Sequence, residues 1–230
     1  MRGFLMIFLA FSVLSMPVTV DSAWAQTGNR LYDSLNFLNR QKPLQNPRFQ
    51  RADQVLKNRI LDRSNRVVGE VNDILLTSNG DISTLNVELD RLRVRGDVFL
   101  GYSQMRMRSV TRAYTLNIDD DQLKDLVPSL LNNIETASGN GSDVFSLRKL
   151  DGARLVAEDG RRLGKIENVL FSDNAGRAQA LYVDLNYRSV RGEKIAIPFS
   201  TPRYVAKPRS FDVVLKNDEA DAILEYARNR

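Results

Sequence analysis

Hydrophobic and polar residues alternate along much of the chain in short runs, a pattern that is typical of β-strands. Residues 67–77 and 82–89 form two such runs, both rich in Val, Ile and Leu. Residues 78–81 separate them and contain an Asn-Gly pair, which predicts a hairpin turn because both residues tolerate positive φ angles. After Asp90 the apolar positions change phase, which predicts a bulge or a sharp bend.

The rest of this half predicts two further strands and a helix. Residues 104–108 alternate Met with polar side chains, which indicates a half-buried strand, and residues 115–118 favour a final strand. Three consecutive aspartates, residues 119–121, then precede apolar residues at helical spacing. An N-cap with acidic neighbours in the first helical turn explains these aspartates better than a calcium or acid–base site does.

The second half of the chain repeats the first. Residues 58–69 are NRILDRSNRVVG and residues 153–164 are ARLVAEDGRRLG, an offset of about 95 residues that continues through the following hairpin. Such a period indicates a domain duplication, because solenoid units have about 20–50 residues. The second copy predicts turns at residues 159–160 and 174–176, strands at residues 181–185, 194–199 and 211–215, and a helix at residues 219–228. The fold class predicted is therefore mainly β, with two tandem small β-barrels that are each closed by a short C-terminal helix.

The amino terminus has the pattern of a secretory signal peptide. Arg2 supplies a positive charge, residues 4–14 are mostly apolar, and Ala23-Trp24-Ala25 is a cleavage motif. We predict cleavage after Ala25 and a periplasmic location in a bacterium. An uncleaved anchor is the alternative, but the apolar run is too short to span a bilayer. No later segment is apolar enough to cross a membrane.

Amino-acid composition indicates the boundaries between the remaining segments and the two domains. The stretch after the signal peptide is rich in Asn, Gln, Arg and Pro, with Leu31, Leu35 and Leu38 at the spacing of one short amphipathic helix. Residues 137–143 are small and polar, as in a flexible linker. We predict a signal peptide at residues 1–25, a partly disordered tether at 26–51, a first domain at 52–134, a linker at 135–146 and a second domain at 147–230.

The chain contains no cysteine and no histidine. Disulfides, thiol catalysis, Ser-His-Asp triads and zinc sites built on His or Cys are therefore excluded. Only metals that accept oxygen ligands, such as calcium, stay possible. We expect no cofactor, no metal and no catalytic residue.

The net charge is +5, and the basic residues concentrate in residues 30–66 and 91–112. Such surface favours anionic partners, here phospholipid, lipopolysaccharide or an acidic protein, although better solubility is the simpler explanation. Nucleic acid is not an expected partner in the periplasm. The candidate binding surface comprises Arg91, Arg93, Arg95, Arg106, Arg108 and Arg112.

Residues 160–170, GRRLGKIENVL, resemble the opening of a PRC-barrel domain, in which an Asp-Gly turn leads into a Leu-Gly-Lys-Ile strand. Residues 196–199, AIPF, are similar to the Ile-Pro-Phe strand of that family. The resemblance covers about residues 147–228. It is weaker over residues 52–131, where Ser-Asn replaces the Asp-Gly turn and Gly-Tyr-Ser replaces Ile-Pro-Phe.

The resemblance implies a small β-barrel with a peripheral helix. The family includes the cytoplasmic domain of the photosynthetic reaction-centre H subunit and a domain of a ribosome-maturation factor. Its members mostly dock other proteins and are not known as enzymes, so the resemblance implies no catalytic residue.

Three functions follow as hypotheses. The leading one is a non-enzymatic periplasmic scaffold or adaptor that docks an unidentified protein partner through its two domains. The alternative is a binder of anionic envelope surface through basic residues of the first barrel and the tether. The third, a hydrolase with paired carboxylates such as Asp73 and Glu88, is disfavoured because strand surfaces commonly carry such residues. The N-terminal copy, which has gained arginines, is the one expected to carry a specific binding role.

Overall fold

The computed structural model describes residues 21–92, 94, 96, 98–110, 112–132, 144–208 and 210–230. The helices are α1 (Asp21–Arg40), α2 (Ala52–Val55), α3 (Asp120–Asn132) and α4 (Asn217–Arg228). The strands of the first half are β1 (Phe49–Arg51), β2 (Arg59–Leu61), β3 (Val67–Thr77), β4 (Ile82–Glu88), β5 (Val98–Gly101), β6 (Arg108–Val110) and β7 (Ala113–Thr115). Those of the second half are β8 (Val144–Ser146), β9 (Arg154–Ala157), β10 (Arg162–Ser172), β11 (Ala178–Leu185), β12 (Lys194–Pro198), β13 (Arg203–Lys207) and β14 (Ser210–Leu215).

These strands form two seven-stranded sheets with the same connectivity. The N sheet has the order β5-β4-β3-β2-β7-β6, with β8 also paired to β3, and the C sheet has the order β12-β11-β10-β9-β14-β13, with β1 also paired to β10. In both sheets one pair is parallel, β2 with β7 and β9 with β14. The prediction of a mainly β fold is confirmed. The hydrogen bonds among the described residues leave each sheet open, because its two outermost strands do not pair with each other.

The sheets exchange one strand each. Strand β1 precedes the first copy along the chain but pairs with β10 of the C sheet, where Phe49 faces Ser172. Strand β8 precedes the second copy but pairs with β3 of the N sheet, where Val144 faces Thr77. These positions correspond at the same offset of about 95 residues, so the exchange is reciprocal. The predicted tether at 26–51 and linker at 135–146 therefore contain sheet strands, which corrects their description as connecting segments.

The N-terminal segment is also structured ahead of β1. Helix α1 buries Leu35 and Leu38, and both amide atoms of Asn39 bond to the backbone of Ala196 in β12. This agrees with the predicted helical spacing but places the helix on the C sheet. The predicted cleavage position after Ala25 falls within α1, whereas residues 1–20 of the predicted signal peptide lie outside the described residues.

Two strand predictions in the first half are wrong. Residues 102–106 form a turn in which Met105 N donates to Gly101 O and Arg106 has a φ of 47°. The chain turns there because β5 lies at one edge of the N sheet, whereas the next strand, β6, lies at the other edge and pairs with β7. The strand begins only at Arg108, and the last one, predicted at residues 115–118, is β7 at Ala113–Thr115.

Most buried apolar side chains of both halves form one continuous core, and a smaller separate cluster comprises Leu38, Phe49, Leu170, Ala180 and Ala196. Within each sheet the long hairpin strands approach closely at equivalent glycines. A Cβ on Gly69 would lie 2.1 Å from Glu88 O, and a Cβ on Gly164 would lie 2.2 Å from Asp184 O. The close approach of β3 to β4, and of β10 to β11, therefore requires glycine at both positions.

The described helices are all too short or too polar to cross a bilayer. Helix α3 begins as predicted: Asp119 Oδ1 accepts a hydrogen bond from Gln122 N, and Asp120 and Asp121 pair with Lys124. The three aspartates thus act in helix initiation, as the sequence indicated.

Candidate functional site

The structure divides the predicted arginine cluster. Arg93 and Arg95 lie outside the described residues. Arg91 follows β4 in a 3-10 turn, and its Nη1 donates to Val67 O at 2.9 Å. The other three, Arg106, Arg108 and Arg112, are exposed at or beside β6.

The strand register shows where these arginines lie. Arg108 faces Thr115, which aligns with Leu61, and Leu61 in turn faces Val67. Val67, to which Arg91 is bonded, and Arg108 are therefore at the same end of the N sheet and three strand spacings apart, about 14 Å at a spacing near 4.8 Å. Arg112 follows the turn after β6 and lies at the opposite end of β7, where its carbonyl accepts a hydrogen bond from Arg59 N. The described arginines of the predicted binding surface therefore do not form a single cluster, although they are close along the chain.

Arg112 instead faces an open groove of about 710 Å³, which we call the junction groove. One wall is the N-terminal segment that leads into β1, the second is the turn after α2, and the third is the β10–β11 turn of the other half. The groove is lined by Leu44, Gln45, Asn46, Pro47, Phe49, Gln50, Arg51, Gln54, Lys57, Asn58, Arg112 and Asp173. Sequence reasoning singled out Arg112 but missed Lys57 and Asn58, since no periodic pattern marks them.

The two β-hairpins meet beside this groove. Asp81 and Arg177, which are equivalent residues of the two copies, form an isolated antiparallel bridge and an ion pair at 3.3 Å. Ala178 N donates to Gly80 O at 2.9 Å. Contact between equivalent residues is the property of a two-fold axis, so the halves are arranged like the subunits of a symmetric dimer.

Asp73, one of the two carboxylates considered for a hydrolase, has structural partners, whereas Glu88 is exposed. Asp73 accepts hydrogen bonds from the Ser146 hydroxyl and from Arg148 N, and it thereby fixes the start of the second copy to β3. Its equivalent Asn168 accepts a hydrogen bond from Ala52 N at 3.0 Å. Asp73 thus fixes the segment around β8, and Asn168 fixes the segment around β1, through equivalent hydrogen bonds. Among the described residues no group of three or more acidic side chains is arranged to hold a metal ion.

A second exposed surface lies on α1. Phe37 is 67% exposed and is the most exposed large hydrophobic residue among those described. It lies opposite the buried Leu35 and Leu38, and helical spacing places Arg30, Asp33 and Arg40 on the same outer stripe. Sequence reasoning missed Phe37, although an aromatic residue within an otherwise charged helical stripe can be recognised from the sequence.

A comparison with protein-family models matches residues 142–221 to the PRC-barrel domain. The match covers β8 to β14 and the first part of α4, and it confirms the resemblance found in the C-terminal copy. No curated protein matches the chain.

Proposed function

Starting from the PRC-barrel domain at residues 142–221, we propose that this protein is a non-enzymatic adaptor of the bacterial periplasm that docks a protein partner. The leader at residues 1–25 directs export and is removed after Ala25. The family match supports a role in protein interaction in general, and the engagement of Asp73 in fixing the fold supports a role without catalysis.

The proposal includes a second, divergent PRC-barrel domain in residues 52–134. The same strand order, the same parallel pair and the equivalent close approaches at Gly69 and Gly164 support it. We further propose that each sheet curls into a small barrel whose outermost strands approach through side chains, since one continuous apolar core fills both.

The observation that carries the docking role is Phe37. Exposing 67% of a phenylalanine to water is unfavourable, at about 25 cal/mol for each Å² of apolar surface, so covering this side chain favours association. The arginines beside it favour a partner whose apolar socket has acidic residues at its rim.

Helix α1 presents Phe37 on a rigid support. The Asn39 side chain bonds to both N and O of Ala196 at 2.8 Å, as a neighbouring strand would. The Tyr32 ring contacts the Tyr226 ring of α4 edge to face, with centroids 5.4 Å apart. A fixed helix loses little conformational entropy on binding, which favours affinity.

Photocrosslinking in the native host tests this role. A photoreactive amino acid at Arg40 is expected to give a discrete protein adduct that disappears in the Phe37→Ala background. The same probe at Leu126, which is 40% exposed on α3, serves as the control. No discrete adduct at Arg40, or an adduct that is unchanged by Phe37→Ala, would contradict docking through α1.

A second candidate function is binding to anionic envelope surface. Arg106 and Arg108 are exposed and make no ion pair with a described residue, which favours this reading of the β5–β6 turn. Charge reversal at both positions is then expected to abolish cosedimentation with phosphatidylglycerol vesicles, and wild-type binding should weaken with salt. Unchanged cosedimentation of the Arg106→Glu/Arg108→Glu variant would exclude this surface.

A further inference from the structure

We infer that the junction groove is a binding site for a phosphate group, either free or carried by a lipid headgroup. The inference does not depend on docking through α1. It concerns the second candidate function, binding to an anionic envelope surface. The key residues of the groove are Lys57 and Arg112, which are separate from Arg106 and Arg108.

The charges in the groove favour an anion. Lys57 and Arg112 are exposed and make no ion pair with a described residue. Arg51 pairs with Asp53 at 3.2 Å. The one carboxylate of the lining, Asp173, accepts a hydrogen bond from Asn174 N through Oδ1. The lining therefore holds three cations, Arg51, Lys57 and Arg112, against the single carboxylate of Asp173, and this positive excess favours binding of phosphate.

Asn58 is an independent indication of a missing ligand. Its side chain is 1% exposed, and its Nδ2 makes no hydrogen bond of normal geometry to a described residue. Buried amide groups almost always have a hydrogen-bond partner, so an orphaned donor in the lining of a groove needs an explanation. A phosphate oxygen is an acceptor that would satisfy it.

The Tyr114 hydroxyl oxygen is close enough to the Asn58 amide to feel it as a donor, but the contact lacks normal hydrogen-bond geometry, so the amide can still bind an acceptor in the groove. The Tyr114 hydroxyl itself donates to Ala175 O at 2.9 Å across the contact between the halves. Burial raises the pKa of this tyrosine, and the nearby amide of Asn58 opposes that rise only in part. Tyr114 therefore stays neutral at physiological pH and adds no negative charge next to Asn58.

The site draws on four parts of the chain, one of which is the β6–β7 turn that carries Arg112. Gln50 and Arg51 belong to the exchanged strand β1, Lys57 and Asn58 follow α2, and Asp173 belongs to the other half. The Gln50 amide donates to Asp173 O and thereby joins two of the walls. The groove exists only while β1 is paired with β10, so ligand binding should stabilise the exchanged strand.

The test is an NMR titration of the full protein with inorganic phosphate at constant ionic strength, followed on backbone and side-chain amide signals. Saturable shifts are expected at the Asn58 side-chain amide and at the backbone amides of Lys57 and Arg112. In the Lys57→Gln/Arg112→Gln variant the affinity should fall at least about tenfold. The matched control is Lys149→Gln/Arg191→Gln, which removes two exposed cations elsewhere and should leave the affinity unchanged.

Vesicles identify the source of the phosphate. Phosphatidylglycerol–phosphatidylcholine vesicles that bind the wild type, but not the Lys57→Gln/Arg112→Gln variant, would identify a lipid headgroup. Phosphate binding without vesicle binding would identify a free phosphate ligand. Absence of shifts at Asn58, Lys57 and Arg112, or equal weakening in both double variants, would overturn the proposal. A loss of adducts at Arg40 would leave these titrations unaffected, so the two proposals fail separately.

Discussion

Gly80 illustrates how single residues set the contact between the halves. Its φ is +88°, a left-handed conformation that glycine adopts at no steric cost, and its carbonyl accepts a hydrogen bond from Ala178 N. A Cβ at this position would lie 2.3 Å from Ala178 O. Backbone of one half therefore meets backbone of the other without an intervening side chain, which is only possible with glycine.

Gly80→Ala is expected to destabilise the protein by about 2–4 kcal/mol, because it adds a clash with backbone to the cost of a positive φ. Gly160→Ala is the matched control, since Gly160 has a φ of +89° and no atom within 4 Å of its added Cβ. The control should lose only about 1–2 kcal/mol. Urea unfolding measures both, and equal losses would contradict close contact between the halves at Gly80.

A buried aspartate makes stability depend on pH. Asp212 is 1% exposed and is bonded to Arg154 at 2.8 Å and to Lys207. Burial opposes its ionisation, but the hydrogen bonds and charges of Lys207 and Arg154 outweigh burial and lower the pKa of Asp212. The unfolded chain then binds this proton more readily, so the stabilisation is complete above the unfolded pKa of about 3.9 and is lost as pH falls through the lower folded pKa.

Asp212→Asn should therefore lower the free energy of unfolding by about 1–2 kcal/mol at pH 7, and the loss should shrink as pH falls below about 4. Urea unfolding at pH 7, 5 and 3 measures this. Asp125→Asn removes an exposed carboxylate with no ion pair to a described residue and should change little. A loss that stays constant down to pH 3 would contradict the proposed role of the carboxylate charge.

At the scale of elements, the sequence predicts the hairpins but not the exchanged strands. The β3–β4 and β10–β11 hairpins were predictable because long alternating runs flank clear turn residues. Strands β1 and β8 have only three residues each, too few to show a period. Their partners lie in the other half, so only the tertiary pairing decides that they are strands.

The register of the exchange can be tested with cysteines, since the chain has none of its own. Thr77 and Val144 face each other, so a Thr77→Cys/Val144→Cys variant should form an intramolecular disulfide on mild oxidation. Thr77→Cys/Ser146→Cys is the control, because Ser146 faces Leu75 instead. Equal crosslinking in both variants, or none in the first, would show that β8 is not paired as described.

The attachment of α1 depends on one side chain. Asn39→Ala removes two hydrogen bonds to Ala196 from a site that is 4% exposed, and we expect a loss of about 1–3 kcal/mol. Hydrogen exchange in residues 30–40 should become faster. Asn36→Ala, on the same helix but without such bonds, should leave exchange unchanged. Exchange that is equally slow in both variants would contradict the role of Asn39.

At the scale of the whole molecule, the two halves share one core and two exchanged strands. Phe145 shows how closely they are joined: its backbone pairs with Leu76 of the N sheet, while its ring stacks on Tyr204 of the C sheet with centroids 4.3 Å apart. The duplication in the sequence indicated two separate domains with a linker. The shared core and the exchanged strands could not be predicted, because strand pairing between the two copies produces no pattern in the local sequence.

The same reason limits what the sequence says about binding. Arg112 was predictable as part of a basic run, but its distance from Arg108 follows from the direction of β7. Lys57 and Asn58 gain their significance from the N-terminal segment and from Asp173, which are distant along the chain. Phe37 was also missed, although an aromatic residue on a charged helical face is visible in the sequence.

The most direct test of this account is differential scanning calorimetry of the full protein. If the exchanged strands join the halves into one cooperative unit, unfolding should give a single transition whose calorimetric and van't Hoff enthalpies agree. Two separable transitions, or a calorimetric enthalpy near twice the van't Hoff value, would show that the halves unfold independently and would contradict the account.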